Sequence, residues 1–248
     1  MVNWVIGKVL NIKKYPNNLF KIFIKASINK FISGQFTKIS MKIKKKYIQR
    51  AYSFVNSSEN SILEFYILFI PNGKFSYQLL NLTVNKEINI SKNSFGFFIL
   101  DEIPKCKTLW MICTNTGIGP YLSILNENRN LERFKNLILI YINKFLINCN
   151  YNFEIKNLRN NYYGKLYILN IISQEKIYGT LNGRIGKFIM NGFLEKNIGL
   201  SLNYKNSHVM ICGNPFMIKD IKNILIKFRN MKKHLHFKKG NITIERYW

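Results

Sequence analysis

Two hydrophobic rhythms divide this chain. Through the first hundred residues, short alternating or apolar stretches (4–12, 19–26, 49–55 and 63–70) are separated by turn clusters such as Tyr15-Pro16-Asn17-Asn18 and Pro71-Asn72-Gly73-Lys74. That punctuation predicts strands, about six at this spacing, and hence an antiparallel barrel or sandwich. Residues 75–82 read instead as a short helix after the Gly73 turn. Beyond residue 101 the rhythm changes. An apolar run at 108–113 ends in the small-residue loop Thr114-Asn115-Thr116-Gly117-Ile118-Gly119-Pro120, and a helical stretch over 121–126 puts Tyr121, Ile124 and Leu125 on one face. Further apolar runs follow at 137–142, 165–172 and 208–212, the last leading into an amphipathic segment at 215–228. Strands alternating with helices predict a parallel sheet with right-handed crossovers. The expected plan is a β + α/β chain cut near residue 100, with an antiparallel β-barrel at 1–100 and a doubly wound parallel α/β domain at 101–248.

Composition changes this picture little. An apolar fraction of 47% excludes a disordered chain. No apolar run reaches the roughly 18–20 residues of a membrane span, since 137–146 is broken by Asn143 and Lys144, and the first residues lack the pattern of a signal peptide. Cys106, Cys113, Cys149 and Cys212 show neither metal-type spacing nor a disulfide framework, so a cytoplasmic protein is expected. The formal charge of +26 could suit nucleic acid. Its lysines are nevertheless scattered between apolar positions, as in a chain from an AT-rich genome, and neither nucleic acid nor membrane is expected as a partner. The charge can still steer an acidic protein. His208, His234 and His236 do not group with cysteines or carboxylates along the chain, and no metal is expected.

Four segments carry candidate chemistry. In Arg50-Ala51-Tyr52-Ser53, alternate positions on a strand would turn Arg50 and Tyr52 the same way, a cation beside a stacking face, with the Ser53 hydroxyl next to them. Gly73-Lys74-Phe75-Ser76 stands at a helix start, where free amides favour anions and Ser76 can cap the helix. In the loop 114–120, Gly117 and Gly119 allow close backbone approach at a strand end, and Pro120 suits a first helical turn. Cys212-Gly213-Asn214-Pro215 repeats the strand-to-helix setting with a thiol at the strand end. Each has a bland alternative: an exposed strand arginine, a plain capped turn, an ordinary loop, a small buried cysteine. The chain also finishes on two aromatic rings, Tyr247-Trp248, which suits a planar partner better than water.

In this order these segments resemble bacterial ferredoxin–NADP reductases, also called flavodoxin reductases, of the enterobacterial type. The likeness includes Gly34-Gln35-Phe36-Thr37-Lys38, Gln49 to Ser53, Leu63-Glu64-Phe65-Tyr66, Gly96-Phe97-Phe98, Ile118 to Leu125 and Ser207-His208-Val209-Met210, and extends from Asn3 to Trp248. The resemblance implies FAD on the barrel and NADP(H) on the α/β domain. For FAD it points to Arg50, Ala51, Tyr52, Ser53, Tyr66, Lys74, Phe75, Ser76 and Thr116, with Tyr247 over the ring face opposite Tyr52 and Trp248 on the adenine. For NADP(H) it points to Asn143, Lys144, Ser173, Gln174, Arg184, Asn214, Pro215 and Phe216. It implies hydride delivery from NADPH to the flavin nitrogen beside Ser53, Cys212 and Glu245 lining the nicotinamide pocket, and Tyr247 as a gate. Single electrons then pass to flavodoxin or ferredoxin, both acidic carriers, and the family precedent is a monomer.

Three positions depart from the family pattern. Lys144 and Gln174 stand where arginines usually hold the 2′-phosphate, leaving Arg184 and Lys176 to compensate, so a weakened preference for NADP(H) over NAD(H) is expected. Asn115 replaces a customary glycine. The rival reading is a basic binding module that keeps the fold without reductase activity, which has no need of Arg50, Tyr52, Ser53, Cys212 and the aromatic end together.

Overall fold

The first 91 residues supply six strands: β1 (Trp4–Tyr15), β2 (Leu19–Lys25), β3 (Phe36–Ile43), β4 (Lys46–Ser53), β5 (Ile62–Leu68) and β6 (Glu87–Ser91). They pair in the order β4-β3-β6-β1-β2-β5, every ladder antiparallel. The outer strands then meet: Phe54 bridges Phe65, and the Val55 amide donates to the Glu64 carbonyl at 2.9 Å. This joint draws the two edge strands together just past the end of β4, as the expected barrel requires. In this computed structural model all residues are described except Met1, Asn150, Tyr151, Tyr163 and Trp248; for residues 148, 152–154 and 156 only the backbone is described.

Alternation fills the barrel. Phe20, Ile22 and Ile24 of β2, Leu63, Phe65 and Ile67 of β5, and Ile88 and Ile90 of β6 all turn inward. Phe31 stacks on Phe54 with ring centroids 3.8 Å apart. Helix α1 (Lys74–Leu80) buries Phe75 and Leu79 against the same core. It begins one residue before the expected start. The β3–β4 turn places Lys44 and Lys45 at positive φ (52° and 64°), a conformation that costs L residues roughly 1–2 kcal/mol each.

The second sheet comprises β7 (Thr108–Thr114), β8 (Asn136–Asn143), β9 (Leu166–Ile172), β10 (Leu181–Asn182), β11 (Ser207–Gly213) and β12 (Ile242–Arg246). Its order is β10-β9-β8-β7-β11-β12, all parallel. Nearly every residue of β7, β8 and β11 is buried, as strands covered on both faces require, which is why they read as continuous apolar runs. The connections carry α2 (Gly119–Glu127), α3 (Asn152–Asn160), α4 (Ile185–Met190), α5 (Phe193–Ile198) and α6 (Pro215–Arg229). Asn214 caps α6 through its side-chain oxygen, Pro215 opens the helix, and Lys227 and Arg229 sit in the last turn where its dipole favours cations.

By packing, the chain forms two compact units, Met1–Ile99 with Gly119–Asn128, and Leu100–Ile118 with Arg129–Trp248. Sequence order alone assigns α2 to the α/β half, yet the helix packs with the barrel. The Ser123 hydroxyl donates to the Asn56 carbonyl at 2.6 Å, and its oxygen lies 2.9 Å from the Ser33 hydroxyl oxygen. Glu127 accepts from the Ser33 hydroxyl and from the Ser58 amide. These bonds satisfy buried polar groups that would otherwise each cost about 1–3 kcal/mol. The elements absent from the sequence reading, β3, β6, β10, β12 and α3–α5, are short or diluted with lysine and asparagine, so their periods are weak.

Gly34 tests the barrel's packing. It sits at φ +102°, and a Cβ there would lie 2.0 Å from the Phe98 carbonyl oxygen. Gly34→Ala is expected to destabilise the protein by at least about 2 kcal/mol, lowering the melting temperature by more than about 4 °C. An unchanged thermal transition would refute the packing described.

Candidate active site

On the barrel, β4 carries Arg50, Ala51, Tyr52 and Ser53. Arg50 is exposed and uses Nη1 to donate to the Gln49 carbonyl at 2.8 Å. Its guanidinium has five N–H donors in all, enough to serve an anion as well. The Tyr52 ring stacks on Phe75 (6.2 Å, 20°) and meets Phe65 at 6.5 Å. Burial pushes the Tyr52 phenol up, partly opposed by the Arg50 charge, so the two same-facing side chains share one environment and the phenol stays neutral. Ser53 is buried at the strand end, and Tyr66 on β5 is buried with its edge toward Tyr15 (6.0 Å, 82°).

At the start of α1 one expectation is corrected. Gly73 is the N-cap and receives no side-chain cap. The Ser76 hydroxyl instead accepts from the Ile70 amide at 3.1 Å and donates to the Gly73 carbonyl at 3.2 Å, stitching the preceding turn. The turn is tight: a Cβ on Gly73 would lie 2.9 Å from both Ile70 Cβ and Ser76 Oγ. Without a serine cap, the first-turn amides beside the exposed Lys74 keep their capacity to bind an anion. The chemistry of this set, a cation, a flat neutral ring and uncapped amides, fits a flavin nucleotide.

In the second unit the strand order reverses between β7 and β11, where open α/β sheets take their ligands. After β7, Asn115 adopts φ +47°. Asparagine tolerates this left-handed conformation better than other side chains, which explains how it stands in for glycine. Gly117 follows in the 3-10 turn Asn115–Ile118, which also buries Thr116; a Cβ on Gly117 would reach within 2.8 Å of the Cys212 carbonyl oxygen. Gly213 (φ +122°) would put a Cβ 2.3 Å from Thr114 Oγ1, the atom that accepts the Asn214 amide at 3.0 Å. Thr114 was not singled out from the sequence. Nothing local marks it, because its partner lies a hundred residues away.

Strand register sets the chemistry at the end of β11. Cys212 pairs with Cys113 of β7 on one side and Glu245 of β12 on the other. The Cys212 thiol is fully buried and held well above its ordinary range, first by burial and then by Glu245, with a hydrogen bond from the Tyr247 side chain opposing. It is a neutral thiol at physiological pH and no nucleophile. Burial raises the Glu245 carboxyl to about 7. The Tyr247 amide donates to the Gly213 carbonyl at 3.2 Å, which carries the parallel β11–β12 pairing on to Tyr247. Cys212, Glu245 and Tyr247 are thus brought together; Trp248 lies outside the described residues.

The remaining expected coenzyme residues surround the ends of β8 and β9. The Ser173 amide donates to the Asn143 carbonyl and the Gln174 amide to the Lys144 carbonyl, both at 3.0 Å, which sets Lys144 and Gln174 side by side and exposed. The Asn143 side chain is not in solvent. It is 2% exposed, its Nδ2 donates to Cys149 Sγ at 3.4 Å, and its Oδ1 has no partner among the described residues. Arg184 is the exposed N-cap of α4. The Asn214 side-chain oxygen is taken by the Phe216 and Met217 amides, and the Phe216 ring beside Pro215 is 84% exposed.

The histidines need a second correction. His236 does meet a carboxylate: its Nδ1 is 3.0 Å from Glu102. His208 is buried against the Thr243 hydroxyl at 2.8 Å and pushed down to about 3 by burial, then by His234 and Arg133, so it stays neutral. Among the described residues, no three His, Cys, Asp or Glu side chains gather as metal ligands would.

Two family models match separate stretches of the chain. Residues 17–97 match the family model of oxidoreductase FAD-binding domains, and residues 111–223 that of oxidoreductase NAD-binding domains. A flavodoxin/ferredoxin–NADP reductase from Buchnera aphidicola subsp. Baizongia pistaciae is 48% identical over 249 residues, and one from Escherichia coli is 44% identical over 248, each comparison covering both chains entirely. A ferredoxin NADP+ reductase from Neisseria gonorrhoeae, solved with bound FAD and NADP, superimposes with a TM-score of 0.92 at 27% identity, covering 99% of each chain.

The Glu245 carboxyl has a signed consequence. Its folded value of about 7 exceeds the ordinary 4.5, so its contribution to stability is full below pH 4.5 and is lost as pH rises through about 7. Glu245→Gln is therefore expected to become more stable relative to wild type across that window. Denaturant titrations at several pH values measure the difference, and parallel curves would rule out the raised carboxyl.

Proposed function

The chain belongs to the flavodoxin/ferredoxin–NADP reductase family, and from that premise we propose that it oxidises NADPH through FAD and reduces flavodoxin or ferredoxin. The observation that carries the reading is the cluster at the end of β11, a neutral buried thiol flanked in register by Glu245 and hydrogen-bonded by the Tyr247 side chain. A planar nicotinamide needs such a flat, uncharged seat beside one polar group. When bound, FAD converts a two-electron donor into a one-electron one.

The protein's part is to bind, orient and shield. Arg50 and the α1 amides, those of Lys74, Phe75 and Ser76, would hold the flavin's pyrophosphate, and Tyr52 and Tyr66 would serve its ring. Ala51 would leave room for the flavin on β4, and the Ser53 hydroxyl would serve the nitrogen that receives hydride. Tyr247 rests on Cys212 and gives way when nicotinamide stacks there, while Glu245 steadies the incoming ring. Trp248, outside the described residues, is assigned to the adenine by the family resemblance alone. Lys144, Ser173, Gln174 and Arg184 receive the coenzyme's phosphate end, Asn143 supports them through its backbone, and Asn214, Pro215 and Phe216 border the coenzyme at the start of α6.

The carrier is acidic on this reading, because 38 basic residues face 12 acidic ones. Its reduction is then faster at low salt, and rates indifferent to salt would exclude that docking. A cytoplasmic monomer is the form proposed. Cys106, Cys113, Cys149 and Cys212 are free thiols, as a reducing compartment maintains them. Among the described residues no helix is long and apolar enough to cross a membrane.

Purified protein should absorb at roughly 450 nm, as bound flavin does, and NADPH should bleach that band. Ser53→Ala should keep its flavin yet bleach at least about tenfold more slowly, the loss expected for a hydrogen bond to a charged centre. An unaltered rate removes Ser53 from the reaction.

Coenzyme choice gives a separate test. With a point charge at Lys144 and no charge at Gln174, kcat/KM should favour NADPH over NADH only modestly. Gln174→Arg should raise that ratio by about tenfold, since a guanidinium forks onto phosphate. Equal efficiencies in wild type, or no response to the substitution, would refute the assigned phosphate site.

A further inference from the structure

One acidic side chain stands among the cations proposed to receive the coenzyme's phosphate. Glu175 follows Gln174 and precedes Lys176, and left loose it would repel that phosphate. It is not loose. Its Oε2 accepts the Leu146 amide at 2.7 Å, reaching from the loop after β9 to the turn after β8. That turn, the 3-10 segment Leu146–Asn148, receives no cap from its own N-cap residue, Phe145, so the carboxylate supplies what the local sequence omits. The same two loops are tied by the Ser173–Asn143 and Gln174–Lys144 backbone bonds, and the turn after β8 is braced from within by the Asn143 amide on Cys149. Lys144 sits between the last residue of β8 and the capped turn. Its backbone is therefore fixed on both sides.

We propose that Glu175 is a positioning residue for the coenzyme's phosphate: by capping the Leu146 turn it holds Lys144 beside Gln174, and in doing so it spends its own charge on an amide instead of on the ligand. The proposal rests on the reductase reading above and adds to it a residue that does not itself touch the coenzyme. It has a direct chemical corollary. What matters is an oxygen acceptor at this position, not a negative charge, so glutamine can replace glutamate and alanine cannot.

The experiment compares wild type, Glu175→Gln and Glu175→Ala as FAD-loaded proteins, using NADPH and NADH with ferricyanide as acceptor. Glu175→Ala is expected to raise KM for NADPH by about two- to tenfold, the worth of one hydrogen bond. Its kcat at saturating coenzyme, flavin content and KM for NADH should stay close to wild type. Glu175→Gln should restore the NADPH KM. The proposal is overturned if both variants bind NADPH more tightly than wild type, because the carboxylate would then act as a repulsive charge. It is equally overturned if Glu175→Ala matches wild type, or if KM rises equally for both coenzymes, the mark of a general structural role. A wild type that carries FAD but does not oxidise NADPH would sink the reductase reading itself, a result readily told apart from these.

Discussion

Backbone against backbone at the ends of β7 and β11 is the contact on which the α/β half depends. The turn after β7 comes so near β11 that even a methyl group on Gly117 would strike the Cys212 carbonyl. A side chain on Gly213 would likewise displace the Thr114 hydroxyl from the Asn214 amide. Two glycines therefore let adjacent parallel strands finish with their ends almost touching, at the place where the strand order reverses. Everything assigned to the nicotinamide end follows from that approach. It seats Cys212 in a fully enclosed row and lets β12 run alongside, which brings Glu245 level with the thiol.

Burial then decides the protonation states. Nothing in Cys212 or Glu245 as residue types distinguishes them from a surface thiol and a surface carboxylate. Enclosure removes the water that would stabilise their charges, and the thiol becomes inert while the carboxyl moves to about 7. The same force acts on Tyr52, whose phenol stays neutral in spite of the Arg50 cation near it. Neutral, flat and enclosed surfaces suit aromatic ring systems. The charged groups, Arg50, Lys74, Lys144 and Arg184, remain exposed, where phosphates can reach them.

Much of the fold was visible in residue patterns because it rests on local periodicity. The runs at 108–113 and 208–212 became β7 and β11 almost residue for residue, since strands buried on both faces admit few polar residues. The Asn214-Pro215 start of α6 was equally plain, for capping chemistry is local. Strands β3 and β12 escaped because lysine, threonine and glutamate interrupt their apolar positions. Pattern also misjudged side-chain roles wherever a distant partner intervened. Ser76 binds Ile70 instead of capping its helix, His236 finds Glu102, and Asn143 turns inward to Cys149.

By itself the sequence determined the division into a β-rich and an α/β half, the strand-to-helix loops at 114–120 and 212–215, and the residue types offered to a nucleotide. These follow from period, turn chemistry and side-chain charge, which act over a few neighbours. Only the tertiary structure decided that α2 packs with the barrel, that Thr114 receives the Asn214 amide, that Glu175 caps the Leu146 turn, and that Glu245 lies level with Cys212. The physical reason is range. Hydrogen bonds and desolvation depend on which groups share a place in space, and register between strands far apart in the chain fixes that.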